Sequence, residues 1–129
     1  MSISKVMKKV KVLICDDSKL VRLKLKSALE ELDLACEFDI LEAKDGAESV
    51  DVYKEEKPDI IFLDIIMPKK SGVEVVKEIV NCDSDAKIIM ASSVGTKENL
   101  QQALKNGAKD FIQKPLNKEK IAKVVEKNI

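Results

Sequence analysis

Histidine is missing from all 129 residues, and its absence removes Ser-His and Cys-His catalysis together with every His-ligated metal site. Aromatic residues are scarce at 3%, too few to stack a flavin. Cysteine is confined to Cys15, Cys36 and Cys82, an odd number without metal-type spacing, which reads as reduced packing residues. No apolar run approaches the roughly 18 residues of a membrane span, and Met1 to Lys11 has no signal-peptide core. A soluble, cytoplasmic protein is therefore expected. An excess of charge is missing too. With 23 basic and 23 acidic residues, neither nucleic acid nor an anionic membrane is an expected partner. Carboxylate, lysine and hydroxyl groups remain to do any chemistry.

The length suits one domain with a real core and is too short for two ordinary ones. Its organising stretch is Pro58 to Pro68, where the apolar run Ile60 to Leu63 predicts a central strand buried on both faces. Asp64 is the first charge after that run. A carboxylate there lies at the carboxyl end of a buried strand, where open α/β sheets bind their ligands. Pro68 stops the ladder, and Ser71-Gly72 precedes a new helical pattern.

The remaining punctuation is regular. Residues 1–9 form a lysine-rich extension. Val10 to Cys15 predicts a first strand, β1, and Ser18 caps a helix, α1, whose inner stripe is Val21, Leu25, Ala28, Leu29 and Leu32. Phe38 to Ala43 predicts β2, and Asp45-Gly46 is a turn or cap before α2, which runs to about Glu56. After β3 (Ile60 to Leu63), the third helix α3 follows Gly72 with a stripe of Val73, Val76, Ile79 and Val80. Lys87 to Ala91 predicts β4, and α4 runs from a Thr96 cap to Gly107 with Leu100, Ala103 and Leu104 facing inward. Phe111 to Gln113 predicts β5, and Asn117 opens α5 with Ile121, Val124 and Val125 inward. Strands alternating with helices mean βαβ units, a mostly parallel sheet and helices on both faces, in a single domain over 10–129 with no output domain.

That arrangement gives the reactive residues one address. Asp16 and Asp17 follow β1, Asp64 follows β3, Ser92 follows β4 and Lys114 follows β5, so all fall on one edge of a parallel sheet. Each has an ordinary role as well: a helix cap, a turn hydroxyl, a solvated cation. Four independent accidents on one edge are the weaker explanation. Crowded carboxylates repel and raise one another's pKa, and a divalent cation removes that problem. All-oxygen ligands suit Mg²⁺, and a lysine with a hydroxyl suits the oxygens of a phosphoryl group carried by Asp64. A carboxylate can attack phosphorus without a general base.

From about Val10 to Ile129 the chain resembles the receiver domain of two-component response regulators. The resemblance rests on Asp16-Asp17, on Asp64-Ile-Ile-Met-Pro68 followed by Gly72, on Ser92, and on Gly107-Ala108-Lys109-Asp110-Phe111-Ile112-Gln113-Lys114-Pro115. It implies a flavodoxin-like doubly wound fold, five parallel strands in order 2-1-3-4-5 with five helices, and this order is not read from the residues themselves. It also implies that Asp64 takes a phosphoryl group from a phosphohistidine on a sensor histidine kinase, with Mg²⁺ as cofactor. Asp17, Asp64 and the backbone carbonyl of Ile66 would hold the metal, with Asp16 reaching it through water. Lys114 would contact the phosphate across a cis Lys114-Pro115 bond. Ser92 would swing toward the phosphate, and Phe111 would move into the space that it leaves. The unphosphorylated protein is expected to be a monomer and to signal to a downstream target protein through the face formed by α4, β5 and α5, in chemotaxis or as a phosphorelay carrier.

The chain departs from many relatives in carrying Phe111 in place of tyrosine, which excludes a switch that needs a phenolic hydroxyl. Ile66 and Val94 are apolar where fast-cycling relatives have polar groups to orient water, so slow self-dephosphorylation is expected. An aspartate-nucleophile phosphatase would need a second Asp two residues after the first, and Ile66 stands there. A flavin module would need a hydroxyl-rich or glycine-rich loop after β1, which Asp16-Asp17-Ser18 does not provide. A receiver that has lost phosphorylation is disfavoured, since every acceptor-site residue is present.

Overall fold

Successive side chains of a strand point to opposite faces of its sheet, and in this protein both faces are apolar. In β1, Val12 and Ile14 join Ile60, Phe62, Ile89 and Ile112 in one cluster. Leu13 and Cys15 join Ile61, Leu63, Ile88 and Met90 in the other. A sheet of this kind is stable only between two layers of helices.

The computed structural model describes residues 8–32, 34 and 36–129. Its elements are β1 (Lys8–Cys15), α1 (Lys19–Glu30), β2 (Cys36–Ala43), α2 (Gly46–Glu56), β3 (Ile60–Asp64), α3 (Gly72–Cys82), β4 (Ile88–Ser92), α4 (Lys97–Lys105), β5 (Asp110–Gln113) and α5 (Lys118–Asn128). The five strands form one sheet in the order β2-β1-β3-β4-β5, with every neighbouring pair parallel. Leu25, Ala28 and Leu29 of α1 and Ile121, Val124 and Val125 of α5 cover one face. Val50 and Tyr53 of α2, Val75, Val76 and Ile79 of α3 and Ala103 of α4 cover the other. Among the described residues no helix is long and apolar enough to cross a membrane.

Several boundaries differ from expectation. The extension expected over 1–9 lies outside the described residues at 1–7. Lys8 and Lys9 already pair with Cys36 and Glu37, because an exposed strand end tolerates lysine while its backbone continues the ladder. In α3, Val75 is fully buried whereas Val73 and Val80 pack only at the margin, so the inner stripe is centred on Val75, Val76 and Ile79. Thr96 occupies the N-cap position of α4 but makes no side-chain cap bond. Its hydroxyl instead donates to the Ser93 carbonyl at 2.6 Å and accepts from the Ser93 N–H at 3.2 Å, closing the loop after β4. The caps expected at Ser18, Asp45 and Asn117 are made, each side chain accepting a backbone N–H of the first turn.

Candidate functional site

The carboxyl ends of β1, β3, β4 and β5 carry the acidic and polar residues. Asp64 ends β3 beside Ala91, and Ser92 ends β4 beside Gln113, one residue before Lys114. The Lys114-Pro115 bond is cis, as the resemblance implied, and the Lys114 N–H donates to the Ser92 carbonyl at 2.7 Å.

Asp16, Asp17 and Asp64 each offer a carboxylate oxygen within 4.8 Å of the others. Asp16 and Asp64 are buried and Asp17 is exposed. The Lys114 ammonium sits between the two buried acids, with Nζ 3.0 Å from Asp16 Oδ2 and 3.4 Å from Asp64 Oδ1. This single cation does not neutralise the cluster. Burial first, and then the charge of Asp16, push Asp64 from its ordinary 3.8 up to about 6, against the opposing pull of Lys114 and of the Ile66 N–H. Burial alone would lower Lys114, but its hydrogen bond to Asp16 and the nearby charges of Asp64 and Asp16 outweigh that and hold it above its ordinary value. Three hard oxygen donors with an uncompensated negative charge fit Mg²⁺. Among the described residues the Ile66 carbonyl accepts no hydrogen bond, so its lone pairs are free for a ligand.

Two glycines let the segment after β3 approach this closely. A Cβ on Gly72 would lie 2.3 Å from the Asp64 carbonyl oxygen, and its N–H donates to the Ile65 carbonyl at 2.7 Å. A Cβ on Gly46 would lie 2.2 Å from the Lys70 carbonyl oxygen, so the start of α2 forms a floor beneath that loop. Gly72 stands out in the sequence after Pro68, but Gly46 reads only as a turn residue. Arg22 likewise carries no signal in the sequence beyond α1's polar face, yet its Nη1 reaches the Asp16 carbonyl at 2.6 Å.

The remaining predicted residues lie around the rim. Ser92 is 5% exposed and Phe111 45% exposed. Both line one cleft of about 380 Å³ with Val94, Thr96 and Leu100. Ile66 is 55% and Val94 90% exposed, so both present apolar side chains to solvent beside the acidic cluster's loops.

Residues 12–126 match the family described as the response regulator receiver domain. The chain is 42% identical over 111 residues to the chemotaxis protein CheY of Halobacterium salinarum, covering 85% of this chain and 88% of that protein. It is 39% identical over 118 residues to CheY of Thermotoga maritima, covering 91% of this chain and 95% of that one. Among solved structures, Vibrio cholerae chemotaxis protein CheY4 superposes with a TM-score of 0.82 at 26% identity, over 96% of this chain and all of that one.

Proposed function

The chain belongs to the response regulator receiver domain family, and on that premise we propose that it accepts a phosphoryl group on Asp64 from a sensor histidine kinase and signals through a change of conformation. The observation that carries this reading is the acidic cluster, three carboxylates within 4.8 Å, with the Lys114 ammonium bridging its two buried members.

In the transfer, an Asp64 carboxylate oxygen forms a bond to phosphorus as the nitrogen-phosphorus bond of the donor phosphohistidine breaks. The departing imidazole keeps the bonding pair and takes a proton from solvent. Asp64 must be ionised to attack, and at neutral pH a group with a pKa of about 6 is mostly so. The ammonium of Lys114 stands where it can turn from Asp16 toward the new phosphoryl oxygens. Asp17, Asp64 and the Ile66 carbonyl would hold Mg²⁺, with Asp16 reaching it through water. When bound, the metal supplies charge neutralisation for the transferring group. The protein's own part is to hold these groups in place rather than to turn over a substrate, so it acts as a phosphoacceptor in signalling and not as an enzyme in the usual sense.

The switch follows from the cleft. Ser92 turning to a phosphoryl oxygen vacates space beside Phe111, whose half-exposed ring gains burial by moving in. The α4, β5 and α5 face then differs between the two states, and a downstream target reads the difference. The relatives named as chemotaxis proteins support a role in chemotaxis.

The test is incubation with a small phosphodonor and Mg²⁺, followed by intact mass measurement. One added phosphoryl group is expected, lost in Asp64→Asn and suppressed by a chelator. An adduct that survives Asp64→Asn overturns the assignment.

A further inference from the structure

Arg22 takes no part in the chemistry of Asp64, yet its side chain is only 14% exposed and both ends of its guanidinium are engaged. Nη1 donates to the Asp16 carbonyl oxygen at 2.6 Å, and Nε donates to Glu42 Oε1 at 2.9 Å. One planar fork thus joins the corner after β1 to the end of β2, a span that a lysine ammonium cannot reproduce. The carbonyl that it holds belongs to the peptide linking Asp16 to Asp17.

The two acids differ in how they are restrained. Asp16 accepts the Ser18 N–H at 2.9 Å through Oδ1 and the Lys114 ammonium at 3.0 Å through Oδ2, and its own N–H donates to the Ala43 carbonyl at 3.1 Å. Asp17 is exposed, and among the described residues its carboxylate accepts no hydrogen bond. Its direction therefore depends on the backbone that carries it. Because a peptide unit is planar, a clamp on the Asp16 oxygen fixes the whole unit into Asp17. We propose that Arg22 is a positioning residue for divalent-cation binding, locking the Asp16-Asp17 peptide so that the untethered Asp17 carboxylate stays turned to the site. This rests on reading Asp64 and its neighbours as a Mg²⁺-dependent phosphoacceptor site.

Two effects of Arg22 have opposite signs. As a cation near a cation site it repels Mg²⁺, so Coulomb's law alone predicts tighter binding once it is removed. Glu42 at 2.9 Å offsets that charge. As a clamp it keeps Asp17 in place, so its removal weakens binding. Loss of a support to a metal ligand typically weakens binding by roughly tenfold or more, and that direction is expected to win.

The experiment titrates Mg²⁺ alone into the full chain by calorimetry for the wild type, Arg22→Ala and Arg22→Lys, with melting temperatures taken in chelator. The expected result is a dissociation constant raised by roughly tenfold in Arg22→Ala and clearly raised in Arg22→Lys, which keeps the charge but loses the fork. At saturating Mg²⁺ both variants should reach the wild-type extent of phosphorylation. An unchanged or tighter constant in Arg22→Ala, even with a lowered melting temperature, makes Arg22 a structural brace only and overturns the proposal. Full affinity in Arg22→Lys overturns it too, since the two-pronged guanidinium contact would then not be needed to hold Asp17. If Arg22→Ala does not fold, Arg22→Lys decides. A wild-type chain that binds no Mg²⁺ overturns the reading of the site itself, and the proposal with it.

Discussion

In the proposed transfer Asp64 has to be a free carboxylate to attack phosphorus, yet burial and Asp16 push it up to about 6, so its reactivity there depends on the charges placed around it. On the proposed function, how long the product lasts should depend on neighbours that carry no charge. Ile66 and Val94 are exposed and apolar, and neither can hold a water in line with the acyl phosphate. Slow self-dephosphorylation is expected. In Ile66→Asn one hydrogen bond to the attacking water, worth about 1 kcal/mol, should speed decay about fivefold. Following the phosphorylated protein after the donor is removed checks both, and a wild-type lifetime of seconds would sink the idea. Residues of this kind were legible in sequence because each of Asp64, Ser92 and Lys114 ends or follows an apolar strand. Arg22 was not, since an arginine on the polar side of an amphipathic helix looks the same whether or not it bonds a distant carbonyl.

Between β3 and α3 the local signals were clear, and their purpose was not. Ser71 caps α3 in a full capping box with Glu74, and Gly72 follows it. The two neighbours should fail differently. Ser71→Ala loses one cap, about 1 kcal/mol of stability, and should leave phosphorylation intact. Gly72→Ala puts a Cβ 2.3 Å from the Asp64 carbonyl oxygen and 2.8 Å from the Ile65 Cα, so the strand end must shift. It should cost about 1–3 kcal/mol and also lower the yield of phosphorylated protein. Urea midpoints with intact-mass yields separate the two, and equal yields at matched folded fraction would contradict this account. The same logic explains why Gly46 reads in the sequence only as a turn residue. Its small size answers Lys70, 24 positions along the chain, and no local pattern records a contact of that length.

For the molecule as a whole, the acidic cluster should make stability depend on pH and, at the proposed Mg²⁺ site, on metal as well. Asp64 has a pKa of about 6 when folded against an ordinary 3.8, so the folded state holds this proton more tightly than the unfolded chain. The resulting contribution is fully present below 3.8, declines as pH rises through the window to about 6, and is gone above it. Metal-free protein should therefore lose stability from this group across that window. Mg²⁺ should restore it near neutrality, by about 2.7 kcal/mol at a hundredfold excess over the dissociation constant. Melting curves with Mg²⁺ or chelator between about pH 5 and pH 7.5 test this, and the gap between them should widen with pH. A gap that is constant, or that persists in Asp17→Asn, would count against a metal site here.

What the sequence determined by itself was the alternation of elements and the residues that end them. Apolar strands, helical stripes and capping residues are short-range properties, so the class of fold and the positions of Asp16, Asp17, Asp64, Ser92 and Lys114 at strand ends could be read directly. The tertiary structure decided distances and couplings. It placed three carboxylates within 4.8 Å and put the Lys114 ammonium between two of them. It also turned Val75 inward, seated the loop after β3 on Gly46, and joined Arg22 to the Asp16 carbonyl. These depend on which segments meet across the sheet, and that meeting is set by the packing of whole layers rather than by any stretch of chain taken alone.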